Sequence, residues 1–266
     1  MPTRALSTAA LGMSAQQRTV DNIANNLANV NTTGFKRSTI AFQDLFYQNV
    51  ATSKKGGNTN AGDNNEAPQL QLGHGAKPVA TIRNFTQGAI EDTGNPLDIA
   101  INGNGFFQIE LPDGSLGFTR DGNFTLNSIG RMVNNSGLAL ADQIDVPEDA
   151  VGVFISQDGS VTARLSGDGG EVDLGQIELA RFVNPSGLLA LGDNLFAQTE
   201  ASGVPFFGAP GLEGFGSLQQ GYLEQANVDI VNEMVNLIQA QRAYETNSKM
   251  VQTAEDMMAM TNQIKR

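Results

Sequence analysis

The chain has 266 residues, of which 40% are hydrophobic and 17% are charged, and its formal net charge is −12. An acidic chain is repelled by phosphate backbones, which argues against nucleic-acid binding. The absence of cysteine excludes disulfides, zinc–thiolate sites and thiol catalysis. The first twenty residues lack the apolar run of a signal peptide, and no stretch is apolar enough to predict a transmembrane helix, so we expect no membrane insertion.

The first predicted element is a helix over residues 1–34. Apolar residues recur every seven positions, and a second set with the same spacing follows three residues later in the chain. This pattern indicates the a and d positions of a coiled-coil seam. The first line contains Leu6, Met13, Val20 and Leu27, and the second contains Ala9, Gln16, Ile23 and Val30. Gly34 suits a position just past the end of the helix.

This predicted helix is rich in asparagine, which weakens helices because its amide competes for backbone hydrogen bonds. Its asparagines include Asn22, Asn25, Asn26, Asn29 and Asn31. Burial of so thin a seam does not offset the backbone entropy of ordering it, so we expect order only among neighbouring helices. The amides would then bond to those neighbours, which we favour over a solvated face because Glu and Lys are absent between Asp21 and Gly34.

Residues 35–76 follow the helix and are predicted to form an extended arm or loop, because their second half is rich in Gly and Asn. Residues 77–200 are predicted to form a mostly antiparallel β-domain, from short runs such as KPVATIRNF, LDIAING, GFFQIEL and VGVFISQ. Hairpin turn chemistry occurs at Pro112-Asp113-Gly114, Asp121-Gly122 and Asp158-Gly159. Residues 201–226 are rich in Gly and Pro and are expected to be a connector.

The last predicted element is a helix over residues 227–266, without Gly or Pro, which would be roughly 50 Å long. One line recurs every seven residues at Ile230, Leu237, Tyr244, Val251 and Met258, and a second contains Ala240, Asn247 and Ala254. The simplest interpretation is that the two terminal helices pack together and against copies of themselves. The predicted fold class is α+β, with long N- and C-terminal coiled-coil helices flanking the β-domain.

No residue pattern indicates an enzyme, a metal site or a cofactor site. His74, the only histidine, lies in the Gly-flanked stretch LGHGA and has no His or Cys partner for a metal, so we interpret it as a loop residue. Aspartates that precede Gly fit tight turns better than a glycosidase pair. The stretch GDGGEVD at 167–173 lacks the ligand pattern of an EF-hand, and INGNGFF lacks the third glycine and the helix of a dinucleotide site.

Four segments carry a family resemblance. NNLANVNTTGFKR (Asn25–Arg37) resembles the N-terminal signature of the bacterial flagellar axial proteins, which form the rod and hook, and GYLEQANVDIVNEMVNLIQAQRAYETNSKMVQTAEDMM (Gly221–Met258) resembles their C-terminal signature. NPLDIAINGNGFFQIELPDG (Asn95–Gly114) and FTRDGNFTLNSIGRMV (Phe118–Val133) resemble their shared β-region. With LGHGAKPVATIRNFTQG and the overall length, the resemblance is strongest to the distal-rod branch of the family. The stretch at 54–66 matches no family pattern.

The resemblance implies a structural subunit that the flagellar type III export apparatus exports unfolded, without a cleaved signal peptide. Such subunits polymerise helically into a hollow, rigid distal rod that crosses the periplasm in the basal body and transmits torque from motor to hook. The implied partners are copies of the chain, the proximal rod and hook proteins, and the ring bushings around the rod. The terminal helices would form the inner core, the β-domain would lie outside, and the arm would contact neighbouring subunits.

The seams and the resemblance together predict an assembly interface. Its residues are Leu6, Met13, Val20, Ile23, Asn26, Leu27, Val30, Gly34, Phe35, Leu237, Ala240, Tyr244, Asn247, Val251, Ala254 and Met258. Two alternatives stay open at this point. One is another axial protein, from the proximal rod or the hook, and the other is a secreted β-domain that binds or cleaves cell-wall glycan.

Overall fold

The computed structural model describes residues 2–50, 70–166 and 170–264, and it has one long helix near each end of the chain with strands between them. Helix α1 spans Pro2–Ala28 and α2 spans Ile230–Ile264. The strands are β1 (Ser38–Asp44), β2 (Tyr47–Val50), β3 (Leu70–Gly73), β4 (Ala76–Arg83), β5 (Ile90–Asp92), β6 (Ile99–Asn102), β7 (Phe107–Glu110), β8 (Leu116–Thr119), β9 (Phe124–Leu126), β10 (Met132–Asn134), β11 (Ala150–Ile155), β12 (Ser160–Leu165), β13 (Glu171–Gln176), β14 (Leu179–Arg181), β15 (Leu189–Gly192), β16 (Leu195–Ala197), β17 (Phe206–Gly208), β18 (Ser217–Gln220) and β19 (Tyr222–Glu224). The predicted α+β class is confirmed.

The chain divides into two compact units. The first, which we call the helical unit, contains Met1–Asn25, Thr39–Thr81 and Val231–Arg266. The second, which we call the β unit, contains Asn26–Ser38 and Ile82–Ile230. The last residues of α1 therefore belong to the β unit, although the sequence places them in the same seam as the rest of that helix.

Within the helical unit, the two terminal helices contact each other. Gly12 of α1 lies against Asn247 of α2, so closely that an added Cβ would come within 2.9 Å of the amide nitrogen of Asn247. The predicted pairing of the two helices is confirmed at this position. The buried apolar residues of the two helices are mostly small: Ala9, Ala15, Ile23, Ala240 and Ala254.

The segment predicted as an extended arm or loop contains strands on both sides of its centre. Strand β1 pairs with β4, and β2 pairs antiparallel with β3, with Tyr47 opposite Gly73. The β-branched and aromatic residues of β1 and β2 favour this pairing. The sequence analysis did not find these strands because the neighbouring residues are rich in Gly and Asn. The stretch at 54–66 lies outside the described residues. The limits of the predicted domains stay predictions.

The β unit is antiparallel at each pairing with a defined register. Its largest sheet has the order β15-β16-β8-β7, a second has the order β11-β12-β13, and four further pairs are β5–β19, β6–β18, β9–β10 and β14–β17. The predicted hairpins at Pro112-Asp113-Gly114 and Asp158-Gly159 are confirmed, because they join β7 to β8 and β11 to β12.

Two predictions in this region are wrong. Asp121-Gly122 does not join paired strands, since β8 pairs with β7 and β16 while β9 pairs with β10. The carboxylate of Asp121 instead accepts a hydrogen bond from the Thr33 hydroxyl, at 2.7 Å. Residues 201–226 are not only a connector, because they supply β17, β18 and β19, which complete pairs with β14, β6 and β5.

Two clusters of buried apolar side chains stabilise the β unit. The larger contains Ile99, Ile101, Phe107, Ile109, Phe124, Met132, Leu140, Ile144, Val146, Val153, Ile155, Val161, Ile177, Leu179, Leu195, Phe215 and Leu218. The smaller contains Phe106, Phe118, Ala180, Phe182, Leu188 and Phe196. Aromatic rings in the smaller cluster meet edge to face, as in the pair of Phe118 and Phe182 at 4.8 Å between centroids, which is a favourable arrangement.

Candidate functional site

Helix α2 exposes many large apolar side chains. Its only buried residues are Glu233, Ala240 and Ala254. Its exposed large apolar side chains are Ile230, Val231, Met234, Val235, Ile238, Tyr244, Met250, Met257, Met260 and Ile264. Exposed apolar area on this scale is typical of a surface that another protein covers. We therefore take the exposed side of α2 as the candidate interaction surface.

The predicted interface residues of the two terminal segments differ in how far they are buried. Leu6, Met13, Val20, Leu27, Val30, Leu237, Asn247, Val251 and Met258 are half-buried, Ile23, Ala240 and Ala254 are buried, and Tyr244 is exposed. Sequence reasoning missed the exposed residues Val231, Val235 and Ile238, because they lie outside the lines of seven-residue spacing that it followed. A count of apolar positions around the whole helix circumference finds them.

Residues 33–38, which we call the clasp, lie in the β unit immediately after α1. Gly34 has a φ of +68°, and an added Cβ would come within 2.6 Å of the backbone nitrogen of Asp121, so only glycine fits there. The Gly34 N–H donates a hydrogen bond to the Glu224 carbonyl oxygen at 2.8 Å. Burial raises the pKa of the Asp121 carboxyl, and the hydrogen bond from Thr33 opposes that shift. The clasp thus connects the end of the N-terminal segment to β19.

A buried ion cluster fixes the clasp. The Lys36 ammonium lies 2.6 Å from Oε1 of Glu224, with side-chain exposures of 0% and 1%, and Nη1 of Arg120 lies 3.4 Å from Oε2 of the same carboxylate. Lys36 also donates to the Thr86 carbonyl oxygen at 2.9 Å, and the Gly88 N–H donates to Oε1 at 2.8 Å. Burial lowers the pKa of the Lys36 ammonium, and the Glu224 carboxylate opposes that shift. Buried charges of this kind depend on their partners for stability.

The side-chain amides of two asparagines bond to the backbone of the clasp. The side-chain amide of Asn26 donates to the Ser38 carbonyl oxygen at 2.9 Å, and its Oδ1 accepts from the Ser38 N–H at 3.0 Å. Oδ1 of Asn227 accepts from the Arg37 N–H at 2.8 Å, and its amide nitrogen donates to the Asn84 carbonyl oxygen at 2.8 Å. Each side-chain amide thus satisfies backbone N–H or carbonyl groups that do not lie within a helix.

Three predicted interface residues lie in this region. Asn26, Gly34 and Phe35 are buried inside the β unit, where Asn26 and Gly34 bond to residues of the same chain. They stabilise this unit, and their part in an assembly interface stays a prediction. The sequence does not reveal these contacts, because Gly34 and Glu224 are far apart along the chain and no pattern in either segment indicates that the two residues bond.

The sequence analysis considered a metal site, a pair of catalytic aspartates and a role for His74, and each can be compared with the described residues. No group of three or more His, Asp or Glu side chains in residues 2–50, 70–166 and 170–264 is placed to hold a metal ion. Asp113 and Asp158 accept hydrogen bonds from Ser115 and Ser160, which confirms their interpretation as turn residues. His74 is half-buried at the bend between β3 and β4.

Two further predictions concern the calcium loop and membrane insertion. Part of the stretch weighed as a calcium loop, residues 167–169, lies outside them. Neither of the two described helices is long and apolar enough to cross a membrane.

Three family matches cover most of this architecture. Residues 6–36 match the family described as flagella basal body rod protein, residues 100–163 match the flagellar hook protein FlgE/F/G D1 domain, and residues 219–264 match the flagellar basal body rod FlgEFG protein C-terminal family. The first match contains most of α1 and part of the clasp. The last contains Glu224 and α2, so the two terminal matches contain most of both helices together with Lys36 and Glu224, while Arg120 lies in the match at residues 100–163.

Whole-length relatives point in the same direction. The chain is 48% identical to the flagellar basal-body rod protein FlgG of Borreliella burgdorferi, over 99% of each chain. It is 45% identical to the FlgG of Buchnera aphidicola from Schizaphis graminum, over 95% of this chain and 96% of the relative. It is also 45% identical to the FlgG of Caulobacter vibrioides, over 98% of this chain and 99% of the relative.

Proposed function

Because the chain belongs to the family of flagellar basal-body rod proteins, we propose that it assembles into the distal rod through the exposed surface of its terminal helices. It is a structural subunit of the flagellar rod, the shaft that transmits torque from the motor to the hook. The observation that carries the proposal is the row of exposed apolar side chains on α2. The proposal adds how the subunits join.

Copies of the same chain are the partners that cover this surface. Fully burying one Val, Leu, Ile or Met side chain contributes about 1.5–3 kcal/mol, so covering a handful of them provides ample driving force for association. The seven-residue spacing of Leu237, Val251 and Met258 suits coiled-coil packing between helices. A helical array of such contacts places the helices in an inner core around a hollow axis, with the β units outside.

The β unit supplies a folded part in each subunit that does not depend on assembly. The clasp and Glu224 tie the segment after α1 to the segment before α2 through contacts within one chain. Torque applied to one helix is then passed to the other through hydrogen bonds and a buried ion pair as well as through the covalent chain. This suits a rigid shaft.

The family also indicates location and partners. The chain is a component of the flagellar basal body. We place its rod across the periplasm, between the proximal rod and the hook and inside the surrounding rings. We further propose that the flagellar type III apparatus exports it without cleavage of a signal peptide.

A charge on the α2 surface tests the assembly mechanism. Val235→Asp places a carboxylate on an exposed apolar position and should abolish polymerisation of the full-length protein, with an unchanged circular dichroism spectrum of the monomer. Gln239→Glu adds the same charge at a polar position on the same helix and should assemble normally. Sedimentation and electron microscopy measure both. Val235→Asp filaments that form at the wild-type critical concentration would show that α2 is not the assembly surface.

A further inference from the structure

A cavity in the β unit has features that the rod function does not explain. It has a volume of about 430 Å³ and is lined by, among others, Phe85, Phe106, Arg120, Arg181, Phe182 and Phe206. We call this cavity the socket. Its walls are largely aromatic, and two guanidinium groups line it, which is the composition of a site that binds an anionic group beside an apolar one.

Arg120 carries an unmet hydrogen-bonding capacity at the socket. The side chain is almost fully buried, its Nη2 donates to the Gly103 carbonyl oxygen at 2.7 Å, and its guanidinium lies 5.4 Å from the centroid of Phe106. Its Nε is buried and has no hydrogen-bond partner within the described residues. A buried donor without an acceptor is costly, so this guanidinium has hydrogen-bonding capacity that the described residues do not satisfy.

The charges around the socket leave a positive excess. Glu224 is shared by two cations, Lys36 and Arg120, so one positive charge in this buried cluster is uncompensated. Arg181 lies over the ring of Phe215, at 5.4 Å from its centroid, and forms no ion pair within the described residues. A carboxylate is the complementary group, because guanidinium groups bind carboxylates with paired hydrogen bonds.

The rim of the socket favours a protein segment over a small free anion. Val183 is 80% exposed and Phe206 is 54% exposed, and both line the cavity. A small anion would leave these apolar side chains in water, whereas a segment that carries a carboxylate between apolar residues would cover them. The chain itself has 28 acidic residues and a net charge of −12, so a neighbouring copy in the rod has such groups available.

We propose that the socket receives an Asp or Glu side chain of a second copy of this chain, which binds Arg120 and Arg181 while its neighbours cover Val183 and Phe206. The proposal rests on the proposed function, since the rod is what brings the second copy to this surface. It adds a contact between β units to the contact between helices, and added salt screens this charged contact but does not screen the apolar one.

A photocrosslinking amino acid in place of Phe206, in the full-length assembled protein, tests the socket. Mixed filaments of isotope-labelled and unlabelled subunits should give crosslinks between labelled and unlabelled chains, at a peptide that contains Asp or Glu. Arg181→Ala should remove that crosslink and raise the critical concentration about tenfold. Arg164→Ala, which removes an exposed arginine elsewhere in the β unit, should change neither.

The outcomes separate the socket from the rod function. Crosslinks that stay within one chain, or that persist in Arg181→Ala filaments, overturn the socket while the rod function stands. If replacing the crosslinked acidic residue by Arg restores the assembly of Arg181→Glu subunits, the proposed pair is established. A wild-type chain that never forms filaments overturns both proposals, because no second copy would then reach the socket.

Discussion

The core of the β unit and the surface of α2 differ in how far their apolar residues are buried. The β unit buries two clusters of apolar side chains, as at Ile99, which has no exposed surface, whereas most large apolar side chains of α2 are exposed, as at Ile238, which is 49% exposed. A core of the first kind stabilises one folded chain. A surface of the second kind lowers the free energy only when another molecule covers it. The comparison indicates that the β unit stabilises the folded chain, whereas α2 provides the surface for assembly.

The N-terminal region of the chain is divided between the two units. Residues up to Asn25 belong to the helical unit, and Asn26–Ser38, which include the last residues of α1, belong to the β unit. Two asparagines of the β unit differ in their surroundings, because Asn26 is buried and bonds to Ser38 while Asn31 is exposed. An asparagine-rich helix end therefore serves, at Asn26, to satisfy the backbone of its own chain. The expectation that the helices become ordered only in the polymer stays a prediction.

The largest expected effect comes from removing the carboxylate that holds the clasp. Glu224→Ala leaves Lys36 and Arg120 buried without their shared partner and should lower the free energy of unfolding by about 3–5 kcal/mol. The matched control, Asp145→Ala, removes the carboxylate of the exposed pair with Arg131 and should cost about 0–1 kcal/mol. Urea unfolding of the monomer, followed by circular dichroism, measures both changes. Equal losses would contradict the claim that the clasp stabilises the β unit.

The next effect separates backbone strain from close contact. Gly34 and Gly94 have nearly the same φ, at +68° and +67°, but a Cβ at Gly94 would meet nothing within 4 Å. Gly94→Ala should cost about 1–2 kcal/mol, from the left-handed backbone alone. Gly34→Ala should cost about 1–3 kcal/mol more, because the methyl group collides with the backbone at Arg120 and Asp121. The same unfolding experiment measures the difference, and its absence would mean that the approach of the clasp to β8 is not tight.

A third pair compares asparagines. Asn26→Ala leaves the N–H and carbonyl of Ser38 without their partner and should cost about 1–3 kcal/mol. Asn31→Ala, at an exposed position, should stay within about 0.5 kcal/mol of the wild type. Hydrogen exchange at the Ser38 amide measures the local effect directly, with faster exchange expected only in the Asn26 variant. Slow exchange in both variants would place the stabilising contact elsewhere.

Sequence reasoning predicted the elements that have a long period or distinctive turn residues. The seven-residue spacing identifies both helices, and Asp-Gly identifies the turns after β7 and β11. It missed β17, β18 and β19, because strands of three or four residues among glycines are too short to display a period. It also missed the role of Glu224, since a partner so distant along the chain is determined only by the complete fold. At Asp121-Gly122 the same turn residues had a tertiary role instead.

The smallest expected effect tests the comparison of the two units with one chemical change. Ile99→Val removes a single methylene from the β core and should lower the free energy of unfolding of the monomer by about 0.5–1.5 kcal/mol. Ile238→Val removes the same group from α2 and should leave the monomer within about 0.5 kcal/mol of the wild type. In the polymer the order should reverse, because Ile238 then becomes buried: its variant should raise the critical concentration several-fold, while Ile99→Val subunits assemble as the wild type does. Sedimentation across a concentration series measures this, and an Ile238 variant that assembles normally would mean that the exposed face of α2 stays in water in the rod.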